Sequence, residues 1–495
     1  MNARAFGLAL CTTVSSGSVA LAQSPRDLVA RAAQAMGGEA ALRGLRGLAY
    51  EHYYAAFTLG QSELPESPIR ATVSYGRTVH DYQAGRRVFV QENRQLGGAV
   101  VRQRFVATPT IGMNEINGAP NPAAPGAVAN QLRNMRLGPE RLLVAALDNP
   151  GSLSAVPARS LRGAMHDGVR MALLDTLTIW FDRVTALPVV YEATTDDPIL
   201  GDRVTQWWLT RWQPAGPILW PRQWDIIVNG QLVQHVIVTS ATANPPPADS
   251  LFAIPDSTAS RAQPVVTPAP APPALVVTLN QLSPFVWRAE GSTHHSLIIE
   301  QPDQLVVIEA PQSTERSRAV LDTLRSRFPG KRVGVLVATH YHWDHTGGLR
   351  EYVAEGIPVV TLEANAAFVR QVAAARRTVR PDLQAQRRRN PTLRTFGDNL
   401  VIGSGETRVE LYRQPTVHAE GVLSAYVPSA RVLFTSDVVN PAVTPSPTAT
   451  LPAAGSIELV ALARARGLSV EWYAGGHGAM TAWGDIERAA AGERR

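Results

Sequence analysis

Cysteine is almost absent from this chain of 495 residues, which contains only Cys11. A single thiol cannot form a disulfide within the chain or a cysteine cluster around zinc. A lipid-anchoring cysteine normally follows Gly or Ala, whereas Cys11 follows Leu10, so we do not expect a lipoprotein. Covalent cross-links and thiolate-bound metals are therefore both excluded as the basis of the fold or its chemistry.

Lysine is equally scarce, because Lys331 is the only lysine among 47 basic residues. The formal net charge of +6 therefore comes from arginines, which are spread along the chain. Such a charge can attract an anionic partner, but no basic helix or recognition motif accompanies it. The sequence predicts no nucleic-acid partner.

Long apolar runs are also missing beyond the N-terminus, so we expect no transmembrane segment. Residues 1–22 have the features of a secretory signal peptide. Arg4 supplies a positive start, a modest apolar stretch begins at Phe6, and Ala20 to Ala22 form a small-x-small cleavage site. We expect cleavage after Ala22 and a periplasmic or secreted protein; the alternative is a frayed N-terminal helix.

The length of the chain exceeds what one hydrophobic core usually organises, so two domains are expected. Two proline-rich segments, 245–247 and 264–273, interrupt its middle. Proline favours extended chain and cannot supply the hydrogen bonds of a sheet. We place a linker at residues 256–275, an N-terminal domain at 24–255 and a C-terminal domain at 276–495.

The pattern of the N-terminal domain predicts a mainly antiparallel β domain with a few helices. Ser24, followed by proline, is typical of a helix start, and this helix should end at Gly37. From residue 50 to residue 254, short alternating runs predict strands, with a two-residue hairpin turn at Asn229–Gly230. One helix, at 138–147, is expected to interrupt them. Tryptophans between Trp207 and Trp224 fit a core or, less favoured, an apolar groove.

Strands and helices alternate in the C-terminal domain, which is the pattern of an α/β layered fold. The predicted strands are 296–300, 305–309, 333–339 and 358–362, and the predicted helices are 314–328 and 349–355.

Four potential metal ligands follow the strand 333–339 within six residues: His340, His342, Asp344 and His345. His340 and His342 are two residues apart, so their side chains point the same way where the chain is extended. Asp344 and His345 are adjacent, so in a tight turn they can point to a neighbouring position. One short loop can thus serve two metals. The alternative is a solvated histidine-rich turn, but HxHxDH after an apolar strand is far more specific for metal binding.

Together with three later residues, this motif makes the segment of roughly residues 276–490 resemble the metallo-β-lactamase superfamily. The later residues are His418, Asp437 and His477, each after a β-like or glycine-rich approach. The resemblance implies an αββα sandwich at 276–495 with two metal sites. It assigns His340, His342 and His418 to the first metal, Asp344, His345 and His477 to the second, and Asp437 to both as a bridge.

The resemblance also implies a chemistry, hydrolysis of a small-molecule ester, lactone, amide or thioester. Two divalent cations would hold a bridging hydroxide that attacks the substrate. Asp344 could orient this nucleophile or handle its proton. Ligation by histidine and aspartate suits zinc first, with manganese or iron as alternatives.

Some positions depart from the family pattern or leave alternatives open. Glu309 stands where the family usually has aspartate, and His294 and His295 are expected to be strand or pocket-rim residues without a ligand role. The arginines of segment 376–394 fit a solvated helix face or, less favoured, an anionic substrate.

Two other functions remain open at this point, a β-lactamase and a periplasmic binding or carrier protein. The second would work through residues 24–255 and would carry a vestigial hydrolase domain. A complete set of ligands argues against it, because an inactive site should have lost some of them.

Overall fold

The computed structural model describes residues 24–65, 71–94, 99–172, 176–246, 248–266, 275–442 and 451–492. The expected signal peptide at 1–22 lies outside these residues, as does most of the proline-rich part of the expected linker. Within the described ranges, the helices are too short or too polar to span a bilayer.

One antiparallel sheet of 13 strands forms the N-terminal domain. In chain order the strands are β1 (Gly47–Phe57), β2 (Ala71–Asp81), β3 (Arg86–Arg94), β4 (Val100–Ala107), β5 (Gly112–Ile116), β6 (Ala119–Pro122), β7 (Leu153–Leu161), β8 (Ala164–Ala172), β9 (Thr176–Asp182), β10 (Pro188–Asp197), β11 (Gly201–Ala215), β12 (Ile218–Val228) and β13 (Gln231–Ala243). They pair in the order β6-β5-β4-β3-β2-β1-β13-β12-β11-β10-β9-β8-β7. The predicted antiparallel β domain is confirmed.

The turn between β12 and β13 shows why the sequence predicted a hairpin there. Asn229 and Gly230 both adopt positive φ, at 45° and 88°. A tight two-residue turn of this kind needs positive φ at both positions, which asparagine and glycine tolerate best. The register continues directly from Val228 paired with Gln231.

Five helices accompany this sheet in the described residues: α1 (Pro25–Ala35), α2 (Glu39–Arg43), α3 (Pro125–Arg136), α4 (Pro139–Asp148) and α5 (Asp256–Ala259). The side chain of Ser24 accepts the backbone N–H of Asp27 and so caps α1. Helices α1 and α4 occur where predicted. Helix α3 does not appear in the prediction, although its buried Val128, Leu132 and Met135 have helical spacing.

The start of the expected linker is ordered against the N-terminal domain. Residues 256–259 form α5, and the backbone N–H of Val265 donates to the carbonyl of Thr110 at 2.7 Å. These residues therefore extend the N-terminal domain past residue 255, rather than forming extended chain.

Two sheets make up the C-terminal domain. The first contains β14 (Thr278–Ser283), β15 (Val286–Glu290), β16 (Ser296–Glu300), β17 (Gln304–Ile308), β18 (Arg332–Val337), β19 (Val359–Leu362) and β20 (Leu393–Phe396) in sequence order. The second contains β21 (Asn399–Ile402), β22 (Val409–Arg413), β23 (Leu423–Val427), β24 (Val432–Thr435), β25 (Trp472–Gly475) and β26 (Thr481–Ala482), also in sequence order.

Helices cover the outer faces of these sheets. They are α6 (Thr314–Arg327), α7 (Trp343–Thr346), α8 (Leu349–Glu355), α9 (Ala366–Ala374), α10 (Leu383–Arg387), α11 (Ala453–Arg466) and α12 (Trp483–Ala490). Between the sheets, side chains such as Ile299, Val337, Leu411 and Phe434 form one fully buried apolar cluster. The predicted αββα sandwich is confirmed.

The two domains are joined by a buried network of charges. Arg377 donates to both carboxylate oxygens of Asp196, at 2.7 Å each, and also to Asp382. Asp382 is held in turn by the buried Arg350. Nearby, Ile199 from the turn between β10 and β11 packs into the apolar cluster of the C-terminal domain. Arg377, from the arginine-rich segment, therefore serves the domain interface, and this lies outside both roles considered from the sequence.

Candidate metal centre

The candidate ligands meet because parallel strands end at one edge of each sheet. β17 pairs in parallel with β18, and β24 with β25. The chain leaves β18 into His340, β24 into Asp437 and β25 into His477. The carboxyl ends of such strands are where α/β folds usually place their ligands.

The first group of candidate ligands contains His340, His342, His418 and Asp437, whose ligand atoms lie within 4.8 Å of one another. The Nε2 of His340 and the Nδ1 of His342 are buried and have no hydrogen-bond partner in the described part of the chain. The other nitrogen of each ring is held, by the Thr339 hydroxyl at 3.1 Å and the Ser62 carbonyl at 2.9 Å. Buried nitrogens that converge without partners fit a cation.

The second group contains His294, Asp344, His345 and His477, again with ligand atoms within 4.8 Å of one another. The Nε2 atoms of His345 and His477 face each other at 3.2 Å. An Asp344 oxygen lies 3.6 Å from His345 Nε2 and 3.9 Å from His477 Nε2. These donors are nitrogen and oxygen atoms only, which fits zinc, manganese or iron.

Asp437 lies between the two groups. One of its oxygens is 3.1 Å from His345 Nε2 and 3.5 Å from His418 Nε2, and the other is 3.0 Å from His477 Nε2. It therefore contacts histidines of both groups, as the bridge expected from the sequence should.

Glu309 holds one histidine of the second group in place. Its fully buried carboxylate accepts the Thr339 hydroxyl at 2.7 Å and lies 2.9 Å from His345 Nδ1. The backbone of Glu309 has a φ of 73°, a left-handed conformation that costs a non-glycine residue of order 1 kcal/mol. Glutamate thus does support the ligand loop in the place of aspartate, and its contact leaves His345 Nε2 facing the other ligands.

The charges of the site favour cations. Burial opposes the charged form of His345, but the carboxylates of Glu309 and Asp437 outweigh it and raise the pKa of His345 well above its ordinary value. Burial likewise opposes ionisation of Asp437, yet hydrogen bonds from His345 and His477 hold the pKa of Asp437 far below its usual range. Buried carboxylates that stay ionised need compensating positive charge, which divalent metals supply.

A loop of the N-terminal domain, between β1 and β2, completes the site. The side-chain amide of Gln61 donates to Asp344 at 2.6 Å, and the Ser62 carbonyl accepts from His342 and from the Tyr341 hydroxyl. The neighbouring Gly60 accepts the backbone N–H of Trp343 at 3.4 Å. These residues were missed from the sequence, because nothing local indicates a contact across about 280 positions.

His294 is the other residue whose position differs from the expectation. The sequence interpretation gave it no ligand role, but the structure brings it into the second group, with its Nε2 3.3 Å from an Asp344 oxygen. A β-bridge pairs it with His477, and their ring centroids are 3.9 Å apart. His295 is not in either group. The sequence did contain one signal for this, the adjacent residues His294 and His295 directly before a strand. Because successive side chains of extended chain point to opposite faces, one of the two had to face the side of the ligands.

The histidines of the two groups differ in their exposure. The residues His340, His342 and His345 are each 1% exposed, whereas the side chains of His418 and His477 are 20% and 23% exposed. Among the described ligands, those of the later loops are therefore the more accessible to a small molecule.

Comparison with known proteins agrees with this geometry, since the family profile described as metallo-β-lactamase superfamily matches residues 290–477. The C-terminal domain belongs to the metallo-β-lactamase superfamily. The matched segment contains the whole HxHxDH motif and extends from near His294 to His477. The resemblance stated from the sequence is confirmed for this domain.

The curated proteins similar to part of the chain include the following two. The α subunit of a 2,4-dinitroanisole O-demethylase from Nocardioides sp. is 26% identical over 155 residues, which cover 31% of this chain and 44% of that protein. A linear primary-alkylsulfatase from Pseudomonas sp. is 34% identical over 58 residues, 12% of this chain and 11% of that protein. The chain thus spans less than half the length of the curated relatives it matches.

Solved structures similar to this chain include metallo-β-lactamases. One from Pontibacter korlensis is 21% identical, with a TM-score of 0.34, over 43% of this chain and 97% of its own. The FIM-1 enzyme from Pseudomonas aeruginosa is 15% identical, also with a TM-score of 0.34, over 44% of this chain and 96% of its own.

The position of His294 in the metallo-β-lactamase domain leads to a first prediction. His294→Ala should weaken binding of one metal by about tenfold or more, because a nitrogen beside Asp344 is lost. His295→Ala is the matched control, since this neighbouring histidine is also buried but belongs to neither group. Metal competition against a chromophoric chelator measures both. Equal affinities in the two variants would exclude a role for His294 in metal binding.

The loop that reaches the metallo-β-lactamase domain leads to a second prediction. Gln61→Ala removes the hydrogen bond that orients Asp344, so the affinity for one metal should fall by about tenfold. The same chelator competition measures the change. As a control, Gln83→Ala changes an exposed glutamine in the turn between β2 and β3 and should have no effect. Wild-type affinity in Gln61→Ala would show that the contact does not support the site.

Proposed function

We propose that the protein is an exported, dinuclear metal-dependent hydrolase that cleaves a small-molecule ester, lactone, amide or thioester. One observation carries this proposal, namely two groups of ligand-type side chains that share Asp437 between them. A lone metal would not need the second group, and a purely structural metal site would be closed to solvent. Export rests on the signal-peptide pattern of residues 1–22 alone.

The ligand assignment in this proposal follows the two groups. His340, His342 and His418 would hold the first metal, Asp344, His345 and His477 the second, and Asp437 both. His294 is proposed as an additional contact of the second group. Zinc is the first choice for these donors, with manganese or iron as alternatives.

A pair of divalent cations, when bound, polarises the substrate and lowers the pKa of a coordinated water toward neutrality. The protein's own residues supply orientation and proton handling. Asp344 is the proposed catalytic carboxylate, because one oxygen is held by Gln61 while the other faces the ligand nitrogens of His294 and His345. Glu309 and the Ser62 carbonyl fix the rings of His345 and His342, so each presents one defined nitrogen.

The names of the relatives widen the range of bonds to be tested. One relative is named for demethylation of 2,4-dinitroanisole, an aryl ether, and the other for hydrolysis of alkyl sulfates. Sulfate esters and aryl ethers therefore belong beside carboxylic esters in any substrate panel. A β-lactamase remains the narrower alternative within the same fold.

The alternative of a carrier with a vestigial hydrolase domain is less well supported. The seven side chains proposed as ligands lie in two compact groups that could each hold a metal ion, which supports a working site. The positive φ of Glu309 is a strained feature of the kind that persists at working sites.

The third prediction concerns the outcome of hydrolysis assays on the full-length, zinc-loaded protein. The panel contains an aryl ester, a lactone, an amide, a thioester, a β-lactam, an alkyl sulfate and 2,4-dinitroanisole. At least one of the first four should be hydrolysed. Asp344→Asn should lower kcat for that substrate by about a hundredfold, the scale of a lost general acid–base group, with the metal content measured in parallel.

The matched control is Asp303→Asn, which changes an exposed aspartate in a turn of the same domain and should keep full activity. No turnover of any substrate by protein that contains both metals would refute the hydrolase. Turnover of the β-lactam alone would favour the β-lactamase.

A further inference from the structure

The N-terminal domain contains a cavity of about 410 Å³ to which none of the candidate metal ligands contributes. Strands β1, β2, β3 and β9 to β13 form its walls, and residues of α3 and α4 lie across it. Sites for small molecules commonly have volumes of this order.

Aromatic side chains line much of this cavity, here called the β-domain cavity. The rings of Tyr50 and Trp220 are 5.0 Å apart, and Trp220 lies edge-on to Trp224 at 5.4 Å. Trp207 and Val236 extend the apolar wall. Of the tryptophans considered from the sequence, Trp207, Trp220 and Trp224 thus belong to the core and also line a space. Such a wall suits the aliphatic or aromatic body of a ligand.

Several buried polar atoms of the wall lack partners. The Nε2 of His80, the Nδ1 of His52 and the hydroxyl of Tyr191 have no hydrogen-bond partner in the described part of the chain. His80 is 6% exposed and Tyr191 is 5% exposed, so bulk water does not readily replace those partners. Buried polar groups normally find partners, and each one left unpaired costs free energy. These three atoms are themselves covered, so they place polar groups behind the cavity wall without giving a ligand a direct contact.

Arg87 brings to the β-domain cavity a positive charge that no carboxylate of the described residues contacts. Its Nη1 donates to the side-chain and backbone oxygens of Gln131, its Nε has no partner, and the described residues include no carboxylate paired with it. Glu140, the acid of the wall, already accepts hydrogen bonds from Tyr82 and Trp220. Burial and the Arg87 charge lower the pKa of His52 to about 4, so this imidazole adds no charge near neutral pH.

We propose that the β-domain cavity binds an amphipathic small molecule, with a carboxylate or sulfate head at Arg87 and an apolar body against Trp220 and Trp224. An anion there gains a charge-assisted hydrogen bond from the guanidinium. This site is separate from the proposed hydrolase site. The chain would then combine binding in one domain with catalysis in the other.

Binding to the full-length, metal-loaded protein tests this proposal with three probes of equal chain length: decanoate, decyl sulfate and decanol. Calorimetry gives stoichiometry and affinity, and tryptophan fluorescence reports on the wall. We expect one equivalent of at least one anion to bind at least tenfold more tightly than decanol. If decanol binds as tightly as both anions, or if no probe binds, the proposal is overturned.

Variants locate the bound anion. Arg87→Gln should weaken binding of the anion at least tenfold and leave decanol binding unchanged. Arg77→Gln is the matched control, because Arg77 is exposed and does not line the β-domain cavity. Gln234→Trp should block all probes by filling the space beside Ile226, the cross-strand neighbour of Gln234 in the cavity wall.

His418→Ala separates this site from the metal centre. The anion should bind this variant as tightly as it binds wild type, whether or not the protein is a hydrolase. Loss of binding in His418→Ala, with none in Arg87→Gln, would place the anion at the metal centre and refute the proposal.

Discussion

The carboxylate of Asp437, set between two groups of imidazoles, is the interaction on which the rest of the site depends. Its oxygens lie 3.0 to 3.5 Å from nitrogens of His345, His418 and His477. An ionised carboxylate buried this deeply is costly unless positive charge surrounds it. The surrounding structure meets this demand with imidazoles held in one orientation, and cations bound by both groups would share the charge of Asp437 between them.

Fixing those imidazoles requires both domains. Glu309 holds His345 from within the C-terminal domain, whereas Ser62 and Gln61 hold His342 and Asp344 from a loop of the N-terminal domain. The buried ion pair of Arg377 with Asp196 joins the domains at another place. The N-terminal domain is therefore part of the construction of the metal centre, in addition to containing the β-domain cavity.

Much of this architecture could be predicted from local sequence. The HxHxDH motif identified the ligand loop because four ligand types in six residues have few other uses, and the turn residues at Asn229 and Gly230 predicted a hairpin. His418, Asp437 and His477 could be assigned as ligands only because they occur in the order of the ligands of the family. The structure brings all three to the edge where that pattern requires them.

What could not be predicted depends on contacts between distant segments. His294 joins the second group because an isolated bridge sets it beside His477, a contact between the two sheets that no periodicity encodes. Gln61 and Ser62 reach the site only through the docking of one domain on the other. The role of Arg377 could not be predicted for the same reason, since its partner Asp196 lies 181 positions away. Helix α3 is different: its spacing of buried residues was readable, but proline and glycine at its start resemble a loop.

The metal stoichiometry of the wild-type protein and of Asp437→Asn tests the central claim most directly. Asparagine keeps the shape of the side chain but removes its charge, so two neighbouring cations repel each other more strongly. Elemental analysis and chelator titration after reconstitution with zinc should give two equivalents for the wild type. For Asp437→Asn they should give at least one site weakened by about tenfold or more. One equivalent or none in the wild type, or two equally tight sites in Asp437→Asn, would contradict a dinuclear centre bridged by Asp437.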